Sequence, residues 1–403
     1  MGRDHVVLLD RSGYQAYRHE DGTPFLDPAE YQVTLVTLPA KADTVRPGEV
    51  DTVIPTNVLD PAALLAVAPT LADQRVDYVA AAGERFLVPA AQFRETLGLP
   101  GFRVEQMEVF RDKRVMKAHF RSHGVATPEY LSITRPSDAA ALLDKHGTLI
   151  LKPVDAMGSM GVHRVDRQAE LAALDAQGLD GQYEAEQFIT GTMFHIDSVV
   201  QDGQSLVSTA SQYLDPNSFL QLDSQCRSAT VDAGPLLDRL LEFNRQVLAA
   251  VEWFSGVTHL EVFRTTDDEL IFCEIAGRPG GGGIIPGFAH RFGLNLPVVA
   301  LLPQLDRPMP EIVERQPVDR RAIGWSLIYP PHEGILRQLG PEPAADWLIE
   351  LKLLKQPGDQ LYRPTSFGMG IALPTVCGPD AATVTARLDA VRADLPVTVE
   401  ETP

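Results

Sequence analysis

The sequence predicts an α/β N-terminal domain with a doubly wound sheet, followed by α+β segments that end in a small C-terminal α+β lobe. Three observations lead to this prediction. Apolar runs of strand and helix character alternate over roughly the first hundred residues. Two alternating apolar segments flank a polar turn between Thr258 and Gly283. Residues 303–317 contain four prolines, which is typical of a linker that precedes a tail at 318–403.

The N-terminal alternation consists of three strand-like runs and two helical runs. The predicted strands are His5–Asp10, Val33–Leu38 and Tyr78–Ala81, and the predicted helices are Pro61–Val67 and Val88–Leu97. This order is typical of a small doubly wound domain. The region contains no GxGxxG motif, so a dinucleotide-binding role has no support.

The central and C-terminal segments also mix helices and strands, without an internal repeat. Asp112 is a predicted N-cap, and the helix that follows it stops at Gly124. Further helices are predicted at Ser137–Lys145, Glu170–Ala176, Leu236–Val251, Leu294–Leu302 and Ala381–Ala393. Further strands are predicted at Thr148–Leu151, Val162–Val165, Tyr183–Ile189, Phe194–Val200, Arg321–Tyr329 and Gly370–Leu373. Residues 201–234 are polar and irregular, with room for one or two strands.

Composition limits the classes of partner. The chain has 403 residues, enough for two to four domains or lobes, and a formal net charge of −19. That charge disfavours nucleic acid and anionic membrane surfaces. No apolar run reaches the ~18 residues of a membrane span, so no membrane partner is expected. The three cysteines have neither metal-site nor disulfide spacing, which favours a reducing cytoplasm.

The hairpin between Thr258 and Gly283 carries the strongest chemical signal. If its turn centres on Asp267 and Asp268, Glu261 lies directly opposite Glu274. Opposed like charges destabilise a sheet, and a divalent cation bound by both carboxylates is the usual reason to find them there. Arg278 and a run of four glycines follow, and a guanidinium with bare backbone suits phosphate.

Two details of the hairpin depend on its register. The two-residue turn places His259, Phe263, Leu270 and Phe272 on the same face as the two glutamates. A three-residue loop would put the glutamates out of register. The alternative interpretation of the pair is two solvated glutamates on an exposed sheet face.

A second candidate begins at Lys152, which ends a predicted strand and precedes a loop with Gly158, Ser159 and Gly161. Glycines allow backbone amides to approach phosphate oxygens, and a lysine adds a positive point charge. The lysine precedes the loop, so this is not the P-loop pattern. The alternative is an ordinary strand–turn–strand with a surface lysine.

Several further positions are weak signals on their own. Lys113 follows the N-cap and is either solvated or a nucleotide contact. Glu186 lies in a predicted strand, where its carboxylate could accept from an adenine amino group while the backbone pairs with the ring edge. His195 and Asp197 alternate on the next strand and are interpreted as a satisfied polar face. The cysteines are interpreted as small apolar fillers.

Taken in order, these motifs resemble the ATP-grasp superfamily, and within it they are most similar to ligases that join amino acids. The matching segments are Asp112-Lys113, KPVDAMGSMGV at 152–162, EQFITG at 186–191, LEVF at 260–263 and CEIAGRPGGGG at 273–283. The resemblance implies two α+β lobes that grip ATP. It implies a preceding domain at 1–108, a small lobe at 109–190, a large lobe at 191–305 and a C-terminal α+β subdomain at 306–403.

The resemblance also implies roles for individual residues. The residues expected to contact the phosphates of ATP are Lys113, Lys152 and the glycine-loop residues Gly158, Ser159 and Gly161. Adenine is read by Glu186 and by the segment with Phe188 and Ile189. Glu261 and Glu274 hold Mg²⁺, or Mn²⁺ in its place, and Arg278 joins Lys152 as a catalytic residue that steadies the transferred phosphoryl group.

Two positions depart from the family pattern. Ala276 stands where the family usually has an asparagine, so a second metal ion is expected to be bound more weakly or by water. Met193 stands where the family often has an acidic ribose ligand, so a carboxylate contact to the ribose is not expected at this position.

The implied activity is an ATP-dependent carboxylate–amine ligase, which joins amino-acid-like substrates through an acyl phosphate and releases ADP and phosphate. One alternative passes the acyl group to a carrier-protein thiol, although a net charge of −19 would repel a typically acidic carrier. Another is a non-catalytic ATP-binding regulatory protein, which the departures from the family pattern at Ala276 and Met193 support. The sequence identifies neither substrate and leaves a homo-oligomer open.

Overall fold

The computed structural model describes residues 2–19, 21–158, 160–179, 181–215, 225–313, 322–340, 344–364 and 366–401. Its strands form four sheets. The strands are β1 Asp4–Leu9, β2 Tyr31–Thr37, β3 Thr52–Pro55, β4 Tyr78–Ala80, β5 Tyr130–Ile133, β6 Leu149–Pro153, β7 His163–Val165, β8 Tyr183–Gln187, β9 Gly191–Gln201, β10 Gln204–Tyr213, β11 Gln225–Thr230, β12 Gly256–Thr265, β13 Leu270–Ala276, β14 Ala322–Ile328, β15 Gly334–Leu339, β16 Leu348–Leu353, β17 Gln360–Leu361, β18 Ala372–Gly378 and β19 Val397–Glu400.

The α-helices are α1 Pro39–Ala42, α2 Pro61–Leu65, α3 Leu87–Leu97, α4 Val104–Glu108, α5 Lys113–Ser122, α6 Ala140–His146, α7 Gln168–Gln177, α8 Pro235–Ala249, α9 Ile284–Phe292, α10 Leu296–Leu301 and α11 Ala381–Asp394. Asp112 is the N-cap of α5, since its side chain accepts from the amides of Arg114 and Val115. Helix α9 was missed, because it begins directly after the glycine run.

The N-terminal sheet has the strand order β3-β2-β1-β4, and all its pairs are parallel. Residues Val6 to Leu9 are fully buried, as expected of a parallel strand covered on both faces. This sheet confirms the predicted doubly wound domain. Sequence inspection missed β3, whose four residues are at most half-buried and show no clear apolar period.

A second, antiparallel sheet of order β5-β8-β6-β7 forms a separate small lobe with its own apolar core. Alternation along β8 sends Tyr183 and Ala185 into that core. The same alternation turns Glu184 and Glu186 to the other side of the sheet. The two acidic side chains of β8 therefore lie on the face of the small-lobe sheet opposite its apolar core.

The largest sheet is antiparallel and has eight strands in the order β13-β12-β9-β10-β11-β14-β18-β16. On one face, α5 and α8 pack over the apolar side chains of β9, β12 and β13. Segment 201–234 supplies β10 and β11 to this sheet, and its residues 216–224 lie outside the described part of the chain.

Strands from the C-terminal tail, β14, β16 and β18, complete the same eight-stranded sheet. The remaining tail strands form a small sheet of order β17-β15-β19. The predicted domain boundaries stay predictions, but the tail shares a sheet with the strands that carry Glu261 and Glu274.

No single helix in the described ranges is long and apolar enough to cross a membrane. One pair of helices, Ile284–Phe292 and Leu296–Leu305, would be long and apolar enough if taken together, but the two are bent by 95° relative to each other. Both helices contribute side chains to the largest apolar core.

Candidate active site

The hairpin of β12 and β13 places Glu261 directly opposite Glu274, as predicted. The predicted two-residue turn is wrong. Thr265 and Glu269 close a three-residue loop in which Asp268 has a φ of 66°. Between Glu261 and Val262 the register then shifts by one residue, at a bulge formed by Cys273. The offset of the loop and the offset of the bulge cancel, which restores the facing glutamates.

The bulge also corrects which side chains accompany the glutamates. Phe272 and Leu270 were predicted on the carboxylate face, but they pack on the opposite face with Val262. Alternation is interrupted at Cys273, so the residues before the bulge point the other way. Phe263 does share the cavity side with Glu261, as predicted.

A cavity of about 370 Å³ lies between the small lobe and the large sheet. It brings together residues that are distant in sequence. Of the predicted site residues, those lining it are Lys113, Lys152, Gly158, Glu186, Phe188, Ile189, Glu261 and Glu274. Ile150, Val162 and Met193 give it apolar walls. A cavity of this size with a few charged groups is a typical small-molecule site.

Lys113 links the glycine loop to the carboxylate pair. Its backbone amide donates to Val154 O at 3.0 Å, and its Nζ donates to Ala156 O at 2.7 Å. The same Nζ lies 3.5 Å from Glu274 Oε2. Burial alone would raise the pKa of Glu274, but Lys113 and Lys152 lower it to about 2. Glu274 is therefore a carboxylate at physiological pH, and its side chain is 35% exposed toward the cavity.

Lys152 belongs to a buried ladder of four charges. Its Nζ lies 2.7 Å from Glu186 Oε1 and 3.8 Å from Glu184 Oε1. Lys117 pairs with Glu184 and lies 2.8 Å from Glu186 Oε2. The alternative of a surface lysine at 152 is wrong, because this side chain is 8% exposed.

The ladder favours the charged forms of Lys152 and Glu186. Burial would lower the pKa of Lys152, but the carboxylates of Glu186 and Glu184 raise it well above its ordinary value. Burial would raise the pKa of Glu186, but Lys117 and Lys152 hold it below its ordinary value. Glu186 lines the cavity already paired with two ammonium groups, and as a carboxylate it can only accept a further hydrogen bond there.

Arg278 lies beside the cavity and joins the glycine run to the N-terminal domain. Its Nε and Nη2 donate to Glu84 Oε2 at 2.9 and 2.5 Å, and its Nη1 donates to Pro279 O at 2.7 Å. Arg111 contacts the other oxygen of Glu84 at 2.6 Å. Burial would raise the pKa of Glu84, but Arg278 and Arg111 keep it low.

The glycine loop is only partly described. Gly158 has a φ of 61° and lines the cavity. Gly161 has a φ of 69° and does not itself line the cavity, and a Cβ there would come 2.9 Å from Pro153 Cγ. Ser159 lies outside the described residues. The phosphate contacts of this loop stay predictions.

A buried polar cluster lies next to Glu261. His195 Nδ1 is 2.6 Å from Asp197 Oδ2, and His259 Nδ1 is 2.8 Å from Asp197 Oδ1. Burial alone would lower the pKa of His259, but Asp197 raises it to about 10, so His259 is a cation. The three side chains are close enough to hold a metal ion. Because they already satisfy one another, we interpret them as the polar face that the sequence suggested.

The donor set at the two glutamates fits a magnesium ion. Two carboxylates reach one cavity, and Mg²⁺ is typically held by one or two carboxylates while phosphates and water complete its octahedron. Ala276 is buried and offers no side-chain oxygen, so the protein supplies only this pair from the hairpin.

Family comparisons agree with this architecture. The ATP-grasp N-terminal domain family matches residues 31–101, and the ATP-grasp domain family matches residues 110–282. A D-alanine–D-alanine ligase of Anaeromyxobacter sp. (strain K) is 30% identical over 67% of this chain and 90% of its own length. The chain therefore belongs to the ATP-grasp family, whose members bind ATP.

Individual relatives narrow the class further. An L-arginine-specific L-amino acid ligase of Bacillus subtilis is 26% identical over 73% of this chain and 74% of the relative. An alanine–anticapsin ligase of Bacillus subtilis is 25% identical over 68% of this chain, and the chain spans 64% of that relative. These relatives confirm the predicted class of ADP-forming carboxylate–amine ligases.

Solved structures confirm the fold. The crystal structure of an L-amino acid ligase from Bacillus licheniformis matches with a TM-score of 0.78 and 18% identity, over the whole of both chains. A carboxyaminoimidazole ribonucleotide synthase of Aspergillus clavatus, solved with ATP, matches with a TM-score of 0.69 and 17% identity over 97% of this chain and 98% of that one.

Sequence inspection missed several residues of this site. Lys117 and Glu184 could have been found, because they lie four and two positions from Lys113 and Glu186 on the same faces. Glu84, Tyr213 and Phe367 gave no local signal, since each reaches the site from a distant segment of the chain.

Proposed function

We propose that the protein joins two amino-acid-like substrates by an amide bond, through an acyl phosphate formed with ATP, and releases ADP and phosphate. One observation carries the proposal. A single cavity holds two lysines, Lys113 and Lys152, against a facing pair of carboxylates, Glu261 and Glu274. The names of the curated relatives, which are amino acid ligases, support the same reaction.

In the first step the carboxylate of one substrate attacks the γ-phosphate of ATP in line. Lys113 and Lys152 lie on the cavity wall where they neutralise charge on the phosphates. Glu261 and Glu274 would hold Mg²⁺ or Mn²⁺, which would supply charge neutralisation and orientation of the phosphate oxygens. In the second step an amine attacks the acyl carbon, and phosphate leaves.

Arg278 is the group that we assign to the acyl phosphate. Its guanidinium donates hydrogen bonds to the carboxylate of Glu84 and to the backbone carbonyl of Pro279, so its position is set before substrate binds. A fixed donor costs little reorganisation at the moment of reaction. Phosphate contacts by Gly158, Ser159 and Gly161 belong to the same proposal.

We place adenine against the small lobe, near Glu186, Phe188 and Ile189. Phe188 has the guanidinium of Arg164 4.7 Å from its ring centroid, and both residues line the cavity. Met193 lines the cavity where an acidic ribose ligand was expected, so the ribose would meet an apolar side chain instead.

Water exclusion in this proposal involves the loop before β18. The amide of Phe367 donates to Gly158 O at 3.3 Å, and its ring lies 5.9 Å from that of Trp325 in an edge-on arrangement. A Cβ at Gly281 would lie 3.6 Å from the same ring. Phe367 therefore bridges the glycine loop of the small lobe and the glycine run after Arg278.

Replacing Phe367 with alanine is expected to raise ATP hydrolysis that yields no amide several-fold, because water reaches the acyl phosphate. The measurement is the ratio of phosphate released to amide formed, by colorimetry and mass spectrometry. Tyr362→Ala is a matched control, because Tyr362 is an aromatic residue of the same segment that is 60% exposed. An unchanged ratio in Phe367→Ala would remove the loop from water exclusion.

The proposal is tested by screening all pairs of amino acids for phosphate release in the presence of ATP and Mg²⁺, with hydroxylamine as a trap. Amide formation, together with a hydroxamate when hydroxylamine replaces the amine, is the expected result. Acyl transfer to a carrier protein without amide formation would favour the thiol alternative. ATP binding without turnover on any pair would favour a regulatory protein.

The three cysteines of the chain are buried and form no disulfide, and burial raises the pKa of the Cys226 thiol to about 12. Such thiols are inert apolar fillers rather than nucleophiles. A cytoplasmic location fits cysteines that form no disulfide, and we include it in the proposal.

A further inference from the structure

Glu261 is held by two side chains that none of the site motifs includes. Tyr213 Oη, from β10, donates to Glu261 Oε1 at 2.8 Å. His259 Nε2, two residues earlier on β12, lies 3.6 Å from the same oxygen. Both contacts fall on Oε1. Among the residues that the structure describes, Oε2 has neither a hydrogen bond nor an ion pair.

The two side chains are themselves fixed by a buried network. His259 is held by Asp197, Asp197 by His195, and His195 Nε2 lies 2.7 Å from Ser228 Oγ. These residues are on β9, β11 and β12, central strands of the large sheet, and each is at most 8% exposed. A side chain fixed by such a network has little freedom to rotate.

The glycine run after Arg278 packs directly against this network. A Cβ at position 280 would lie 2.7 Å from both Asp197 Oδ1 and His259 Nδ1. Only glycine fits there, so the backbone after Arg278 closes directly over the Asp197–His259 pair. The position of the run and the position of Glu261 are thus set by the same buried side chains.

We propose that Tyr213 and His259 are positioning residues of the metal site, which occupy Glu261 Oε1 and leave Oε2 as the single oxygen that binds the cation. This inference rests on the proposed function, in which Glu261 and Glu274 hold the metal. Fixing one carboxylate in advance matters here, because Ala276 contributes no third ligand.

Replacement of Tyr213 with phenylalanine tests the inference. Loss of a partner that orients a metal ligand typically weakens metal affinity roughly 10- to 100-fold. The readout is binding of Mn²⁺ to the 403-residue chain in the presence of a non-hydrolysable ATP analogue, measured by electron paramagnetic resonance. The KM for Mg²⁺ should rise by a similar factor, whereas the KM for ATP at saturating Mg²⁺ should change little.

Tyr329→Phe is the matched control. Tyr329 is a fully buried tyrosine in the same apolar core, and its hydroxyl has no hydrogen-bond partner among the described residues. Removing that hydroxyl should leave Mn²⁺ binding unchanged. His259→Gln is a second variant, expected to weaken Mn²⁺ binding in the same direction, and it keeps the test decisive if Tyr213→Phe fails to fold.

Glu274→Gln separates failure of the inference from failure of the proposed site. If Glu274→Gln weakens Mn²⁺ binding while Tyr213→Phe and His259→Gln behave like Tyr329→Phe, the positioning role is wrong and the metal site stands. If Glu274→Gln binds Mn²⁺ as tightly as the unaltered protein, the metal site itself is wrong, and the positioning role is overturned with it.

Discussion

Replacement of Glu274 with glutamine is expected to abolish most amino-acid-dependent release of ADP and phosphate. The variant keeps the size of the side chain but removes one of the two carboxylates that face each other on β12 and β13. It also removes the anion that lies 3.5 Å from Lys113 Nζ. A fall of roughly 100- to 1000-fold in kcat is expected, as for loss of one preorganised electrostatic group.

The matched control for this prediction is Glu269→Gln. Glu269 is on the same hairpin, exposed, and its side chain lies away from the cavity lining. Both variants should melt near the temperature of the unaltered protein, because Glu274 is one-third exposed and Lys113 Nζ keeps its hydrogen bond to Ala156 O when the carboxylate is lost. Retention of the full rate by Glu274→Gln would rule out the carboxylate pair as the metal site.

The facing glutamates show how far local sequence patterns extend. Alternation and turn residues predicted the strand pair and the opposition of Glu261 and Glu274, and both are present. The prediction succeeded through two errors that cancel, because the loop has three residues and the bulge at Cys273 restores the register. A bulge depends on packing against both faces of a sheet, and a single sequence carries no local signal for it.

The partners of the predicted residues were less accessible to sequence reasoning. Lys152 and Glu186 were assigned to a nucleotide site, but the ladder that pairs them was not foreseen. Lys152 and Glu186 pair across the neighbouring strands β6 and β8, and Lys117 joins them from α5, so the complete ladder depends on a tertiary contact between α5 and the small lobe. Tyr213 contacts Glu261 from 48 residues away in sequence, and Phe367 contacts Gly281 from 86 residues away. Helix and strand periodicity relate only residues that are a few positions apart, so neither contact could be predicted from it.

The departures at Ala276 and Met193 acquire a physical meaning from the structure. Both residues are buried, and Met193 lines the cavity as part of its apolar wall. At the other end, Glu261 is fixed by the polar cluster of β9 and β12. A site with fewer metal ligands can keep its geometry when those that remain are held rigidly.

The second large effect is expected at the buried ladder, where Lys152→Met and Lys117→Met should have different consequences. Both lysines pair with Glu184 and Glu186. Lys152 lines the cavity, whereas Lys117 is fully buried and does not. Lys152→Met should therefore raise the KM for ATP and lower kcat strongly, by roughly 100-fold or more in kcat/KM.

Lys117→Met should act mainly on stability. It leaves Glu184, which is fully buried, with Lys152 at 3.8 Å as its nearest cation. Breaking a buried ion pair in this way typically costs about 3–5 kcal/mol. Urea denaturation followed by circular dichroism measures the loss, and kinetics at low temperature, where the variant is folded, should give a nearly unchanged KM for ATP.

A double variant distinguishes a lost ion pair from lost packing at position 117. Lys117→Met with Glu184→Met replaces both charges by apolar side chains of similar volume, which is often neutral or stabilising. The double variant should recover most of the stability that Lys117→Met alone loses, because no carboxylate then remains buried without a close cation. If the double variant is less stable than Lys117→Met, the two residues contribute through shape rather than charge.

Equal ATP kinetics in Lys152→Met and Lys117→Met would contradict the assignment of Lys152 to the phosphates.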